Sequence, residues 1–183
     1  MTGWTHGTLP ANVRLGPDSI ITADYAFKRL LSKQDSALVI GAHCTMDGVH
    51  FAIGREGHVR IGDYCYFTNA VLLCEMELLI GNYVVIGWNT TLADTDFHPL
   101  APAERVADAI ACSPLARGRR RPEIAKKPVV IADDVWIGPN VTILKGVNIG
   151  AGACIEAGSL ITHDVPPGAR VIGNPAQIIG QNA

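Results

Sequence analysis

The sequence predicts an all-β fold, a parallel β-helix solenoid of hexapeptide repeats with a long loop inserted between coils. Three observations carry this reading. An aliphatic residue returns at every sixth position through Ile131, Ile137, Ile143, Ile149, Ile155 and Ile161. Four positions after each of these stand Val135, Val141, Val147, Ala153, Ser159 and Val165, a second column of small or β-branched residues. The composition is 48% hydrophobic but only 6% aromatic, with 19 Gly, which suits a narrow aliphatic interior with many corners. A helix would alternate steps of three and four and an amphipathic strand would step by two. A period of six belongs to a parallel β-helix.

If one hexapeptide makes a short strand and a turn, three of them close a triangular coil of about 18 residues. Ile131 then lies beneath Ile149. The residue after several of the isoleucines, as at Gly138 and Gly150, falls at a corner, where glycine can adopt backbone angles that a Cβ resists. Neighbouring coils pair along parallel ladders, so stability comes from stacking between neighbours.

Taken in order, one domain spans residues 1–183. Residues 1–60 read as irregular N-terminal coils: Leu15-Gly16 and Ile21 begin the repeat, Asp24 to Ser36 interrupts it, and Ile40-Gly41 and Ile53-Gly54 resume it. Asp24 to Ser32 fits either a helical turn or an outward bulge. Residues 61–98 read as regular coils through Ile61, Phe67 and Leu73, then, after one extra residue, Ile80, Ile86 and Leu92. Residues 99–127 form the inserted loop, in which Ala101 to Cys112 has the composition of a short helix ended by Ser113-Pro114. A loop of that length within a regular array points to function. Arg117, Arg119, Arg120, Arg121, Lys126 and Lys127 crowd its end, as a solvated surface or as an electropositive lip for an anion. Residues 128–176 are regular coils again, and 177–183 a short tail.

A net charge of −2 predicts no general attraction to nucleic acid or membranes. No apolar run approaches the roughly 20 residues that span a bilayer, and Met1 to Pro10 lacks the features of a signal peptide, so a cytoplasmic protein is expected. Cys44, Cys65, Cys74, Cys112 and Cys154 include no CxxC pair, which predicts free thiols. Cys44 and Cys65 occupy the slot that valine or serine fills later, and read as small core residues.

Of six histidines, His98 stands where the repeat breaks and the loop begins, and loops on rigid scaffolds are where reactive groups gather. Acyl transfer from a thioester needs a base to take the acceptor's proton, a role that suits imidazole near neutrality. Asp94 and Asp96 share a side of the chain with His98 if strand alternation holds. Either could orient the imidazole, or both could solvate the corner.

The repeats, Asp94-x-Asp96-x-His98, the loop, Asp134-Val135-Trp136-Ile137-Gly138, Gly146-Val147-Asn148-Ile149-Gly150, Ala157-Gly158-Ser159 and Gly173-Asn174-Pro175-Ala176 together resemble the hexapeptide-repeat acyltransferases. Among them they most resemble the maltose, galactoside and polysaccharide O-acetyltransferases. The resemblance implies a left-handed parallel β-helix, contrary to the usual right-handed crossover. It further implies a homotrimer in whose clefts acetyl-CoA, the co-substrate, meets a small-molecule acceptor such as a saccharide, with His98 as the base and no metal. The donor site it implies comprises Trp136, Pro139, Ala157, Thr162 and His163. Pro139 has no N–H to offer, and Gln177 stands where a basic residue is frequent, which shifts phosphate contacts to Arg170 or the basic loop. The acceptor side falls on Tyr66 to Glu75, with Thr68 and Asn69 near the family's asparagine. Glu75 and Glu77 there either meet acceptor hydroxyls or are ordinary surface carboxylates.

Three alternatives are weighed at this level. A zinc hydratase of the γ-carbonic anhydrase type needs two histidines spaced by five with a third nearby; no two of His6, His43, His50, His58, His98 and His163 are so spaced, so it is not expected. Another is an N-acyltransferase acting on an amino sugar or amino acid. The third is a non-catalytic scaffold, whose discriminator is whether His98 and the Trp136 corner remain together in a cleft; a buried His98 would favour it.

Overall fold

The computed structural model describes residues 3–116 and 118–181. They form a left-handed parallel β-helix of three sheets, with a single helix, Pro102–Ala111, in the inserted loop. Strands on each face pair in parallel with the strand one coil away. Ile131 is the register partner of Ile149, Ile137 of Ile155 and Ile143 of Ile161, as the 18-residue spacing requires. All six isoleucines and the six residues four positions on, from Val135 to Val165, are buried. Ser159 sits in that column because its hydroxyl donates to the Glu156 carbonyl at 2.6 Å and accepts from the Gly173 N–H. The first sheet runs from Gly3–Trp4 to Ala169–Gly173, and a final antiparallel strand, Ala176–Gln181, folds back on its edge. Most of the expected tail is therefore a strand, and the Gly173 to Ala176 motif is its turn.

Two sequence assignments shift. Leu72, not Leu73, stands beneath Leu92, and Phe51, not Ile53, stands beneath Leu72. Corner lengths vary in this part of the chain, so counting by six slips by one or two residues. The corner glycines also serve a different purpose from the one expected. Left-handed backbone falls two residues after Gly138 and Gly150, at Asn140 (φ 58°) and Gly152 (φ 68°). Gly138 itself is required by close approach, because a Cβ there would lie 2.8 Å from the Ala157 nitrogen of the next coil.

The interruption after Ala23 is resolved as consecutive tight turns, with the N–H groups of Ala26, Lys28 and Leu30 each donating three residues back. This segment occupies the place of a strand on the third face: the Ala26 and Arg29 carbonyls accept from Phe51 and Ile53. Cys44 and Cys65 are buried in the core, and all five cysteines are free thiols. Among the described residues no helix is long and apolar enough to cross a membrane.

Candidate active site

The inserted loop is zipped at its base. Thr95 bridges Lys126 antiparallel, the Asp96 N–H donates to the Ala125 carbonyl, and the Lys127 N–H donates to the Asp94 carbonyl. Just beyond, Phe97 takes φ 65° and turns the chain, and the His98 N–H closes on the Asp96 carbonyl at 2.6 Å. The regular strand ends at Ala93. Strand alternation therefore does not reach His98.

The carboxylate that meets the imidazole is Asp108, on the loop helix. His98 Nδ1 and Asp108 Oδ2 are 2.5 Å apart. Asp108 is fully buried while 59% of the His98 side chain is exposed. Arg121 grips the same carboxylate with two donors, Nε to Oδ1 at 2.6 Å and Nη2 to Oδ2 at 3.0 Å, and also donates to the Phe97 carbonyl. Arg121 first, then His98, hold the Asp108 carboxyl down at about 2. An ionised Asp108 accepts from Nδ1–H, which leaves the Nε2 lone pair of His98 free to take a proton.

Asp94 and Asp96 do other work. The buried Asp94 carboxylate accepts from the backbone N–H groups of Glu75, Met76 and Glu77 at 2.6–2.8 Å, and so holds the turn of the coil beneath. Asp96 pairs with Lys145. The expectation that either orients His98 is corrected on this geometry.

His98 opens on a cleft of about 930 Å³. Its floor is the outer side of the third sheet, with His50, Ala52, Val71 and Leu73, and its roof is the loop from Arg120 to Lys126. Glu75 and Arg29 line it as well. Burial first, and then the Asp94 charge, push the Glu75 carboxyl above its ordinary range. The basic lip is partly neutralised: besides Arg121 with Asp108, Lys126 pairs with Glu56 at 2.8 Å. Arg117 lies outside the described residues.

The remaining predicted residues lie elsewhere on the chain. Tyr66, Thr68, Trp136 and Pro139 line a second, apolar groove of about 250 Å³ on the first sheet, with Val85 and Trp88. Ala157 stacks on Gly138 at the adjoining corner, and Asn69 occupies a left-handed corner at φ 46°. Thr162 and His163 hydrogen-bond each other at 2.8 Å. Arg170 is paired with Glu156, which makes it a poor free partner for a phosphate. Gln177 lies in the terminal strand, opposite Ile172. Glu77 is bonded to His58 at 2.8 Å and does not line the cleft. Within one chain, then, His98 and Trp136 occupy separate clefts.

Comparison with known proteins agrees with this architecture. Residues 128–163 match the family described as bacterial transferase hexapeptide (six repeats). The galactoside O-acetyltransferase of Lactococcus lactis is 33% identical over 141 residues, 76% of this chain and 60% of that protein. The chain thus spans about three fifths of this relative. The 2,3,4,5-tetrahydropyridine-2,6-dicarboxylate N-acetyltransferase of Staphylococcus aureus is 56% identical over 54 residues, 30% of this chain and 23% of that protein. A crystal structure of a hexapeptide-repeat acetyltransferase from Vibrio cholerae, complexed with acetyl coenzyme A, superposes with a TM-score of 0.66 at 33% identity, covering 87% of this chain and 76% of that one. On fold, repeats and identity together, the chain belongs to the hexapeptide-repeat acyltransferases.

Proposed function

We propose that this protein transfers the acetyl group of acetyl-CoA to a hydroxyl of a saccharide, with His98 as general base. The observation that carries the reading is the His98 and Asp108 pair at the mouth of a large cleft, with Nε2 facing away from the carboxylate. His98 Nε2 removes the proton of the attacking hydroxyl as its oxygen adds to the thioester carbonyl. The imidazolium so formed is stabilised by Asp108. A backbone N–H holds the tetrahedral oxyanion. Collapse breaks the C–S bond, forms the ester, and returns the proton from His98 to the departing CoA sulfur.

The donor reading draws on the relative crystallised with acetyl coenzyme A, and the acceptor reading on the galactoside O-acetyltransferase. The apolar groove at Trp136 and Pro139 suits the pantetheine arm. It serves the base when a neighbouring copy in a homotrimer sets its own His98 opposite, so that each complete cleft is shared between two chains. The similarity to an N-acetyltransferase over 54 residues favours a second reading, transfer to an amine, which the same base would serve.

CoA release, followed with a thiol reagent, tests these readings with methyl galactoside, maltose and a nucleotide-linked amino sugar, for the wild type and His98→Ala. The expected result is wild-type turnover with a saccharide hydroxyl that the substitution abolishes. Turnover on the amine alone would replace the first reading with the second. Undiminished turnover by His98→Ala would remove His98 from the chemistry.

A further inference from the structure

We propose that His50 is a specificity-determining residue of the acceptor pocket, its ring donating a hydrogen bond to an oxygen of the polyhydroxylated acceptor. The proposal rests on the acyl-transfer reading above. His50 begins the strand His50–Ile53 and lies on its outer side with Ala52, while Phe51 and Ile53 fill the core. It therefore belongs to the floor of the cleft that His98 overlooks. The Tyr25 ring lies nearly perpendicular to it, with centroids 6.3 Å apart.

His50 is distinguished by what it lacks. Among the described residues its Nε2 is the buried side-chain nitrogen or oxygen left without a hydrogen-bond partner. Elsewhere among the described residues buried polar side chains are satisfied: Asp94 and Ser159 accept N–H groups from neighbouring coils, and Asp108 is held by Arg121 of the same loop. A buried polar atom without a partner costs stability, and its presence calls for an explanation outside ordinary packing. Burial, aided by the charges of Arg29 and Lys28, pushes the ring's pKa down, so the ring is neutral. A neutral imidazole carries one proton. On the enclosed Nε2 an orphaned N–H would be worse than an orphaned lone pair, so we assign the proton to Nδ1, and the ring meets the cleft as a donor. Donors of this kind let a site reject analogues that lack the matching oxygen, since the donor is then left unpaired.

The test compares wild type with His50→Phe, which keeps the ring's bulk and removes its nitrogens, and His50→Gln, which restores a donor. With the best saccharide from the panel above, His50→Phe is expected to raise the acceptor KM about tenfold, the loss of one good hydrogen bond. The KM for acetyl-CoA and kcat should stay within about twofold, and the melting temperature should hold or rise, because an unpaired buried nitrogen has gone. His50→Gln should recover part of the acceptor KM. An unchanged acceptor KM in His50→Phe, with wild-type turnover intact, would overturn this inference alone. A lower melting temperature with kcat and both KM values moving together would overturn it in favour of a packing role. Absence of wild-type turnover with every saccharide would overturn both the saccharide reading and this one.

Discussion

The nitrogen of His98 that faces Asp108 decides what the other nitrogen can do. With Nδ1–H committed to a buried carboxylate, Nε2 is left to take a proton, and in the proposed mechanism the imidazolium formed during transfer would be stabilised where it forms. Asp108→Asn keeps the shape but removes the charge, and should lower kcat by about 10²-fold or more, with KM values little changed. Asp96→Asn, which alters a side chain paired with Lys145 and keeps the backbone carbonyl that His98 bonds, should leave kcat within about twofold in the same assay. The cluster also sets an acid limit. Because the Asp108 carboxyl is held at about 2, below its ordinary 3.8, its contribution to stability is complete above the unfolded value and is lost as pH falls from about 4 toward 2. Thermal melts of wild type should therefore lose more stability across that window than melts of Asp108→Asn. As a candidate base, His98 was legible in the sequence because it stands where a strict period breaks. Asp108 was not: it is ten residues away, on a helix docked by Arg121, and no spacing rule links them. Strand alternation pointed to Asp94 and Asp96, but the strand ends at Ala93 and Phe97 turns the chain before His98.

At the scale of the element, each hexapeptide contributes two inward residues and one tight corner, and both can be probed. Ile137 is fully buried between its register partners Val85's neighbour Ile86 and Ile155. Ile137→Ala should cost about 2–5 kcal/mol in denaturant unfolding, as truncation of a packed aliphatic leaves a cavity that rigid coils cannot close. Gly87 shows the demand of the corner: a Cβ there would lie 2.7 Å from the Pro139 nitrogen, a backbone atom that cannot swing aside. Gly87→Ala should destabilise by about 1–3 kcal/mol. Gly180→Ala, where a Cβ meets nothing within 4 Å, should change stability by less than about 0.5 kcal/mol. The period of six was plain wherever coils have the minimal length, from Ile131 to Ile161, and there the predicted register is the observed one. It blurred at Leu73 and Ile53, where extra corner residues are tolerated because only the strand positions must stack.

For the whole molecule the separation of the two clefts has a consequence. Trp136 with Pro139 and His98 with Asp108 lie on different faces of one chain, so a site that needs both must be assembled from two copies. In a closed ring of identical subunits each interface joins one face of a chain to the other face of its neighbour. A chain carrying His98→Ala still offers an intact Trp136 groove, and a chain carrying Trp136→Ala still offers an intact base. Each variant alone should be inactive or nearly so. Unfolded together in equal amounts and refolded, they should recover about a quarter of wild-type CoA release, the share of interfaces at which random assembly sets an intact base against an intact groove. Sedimentation of the mixture would show that assembly is unchanged. If each site were complete within one chain, every chain would carry one defect and mixing would recover nothing. The recovered activity therefore reports whether the groove on the first sheet and the histidine at the loop serve the same reaction.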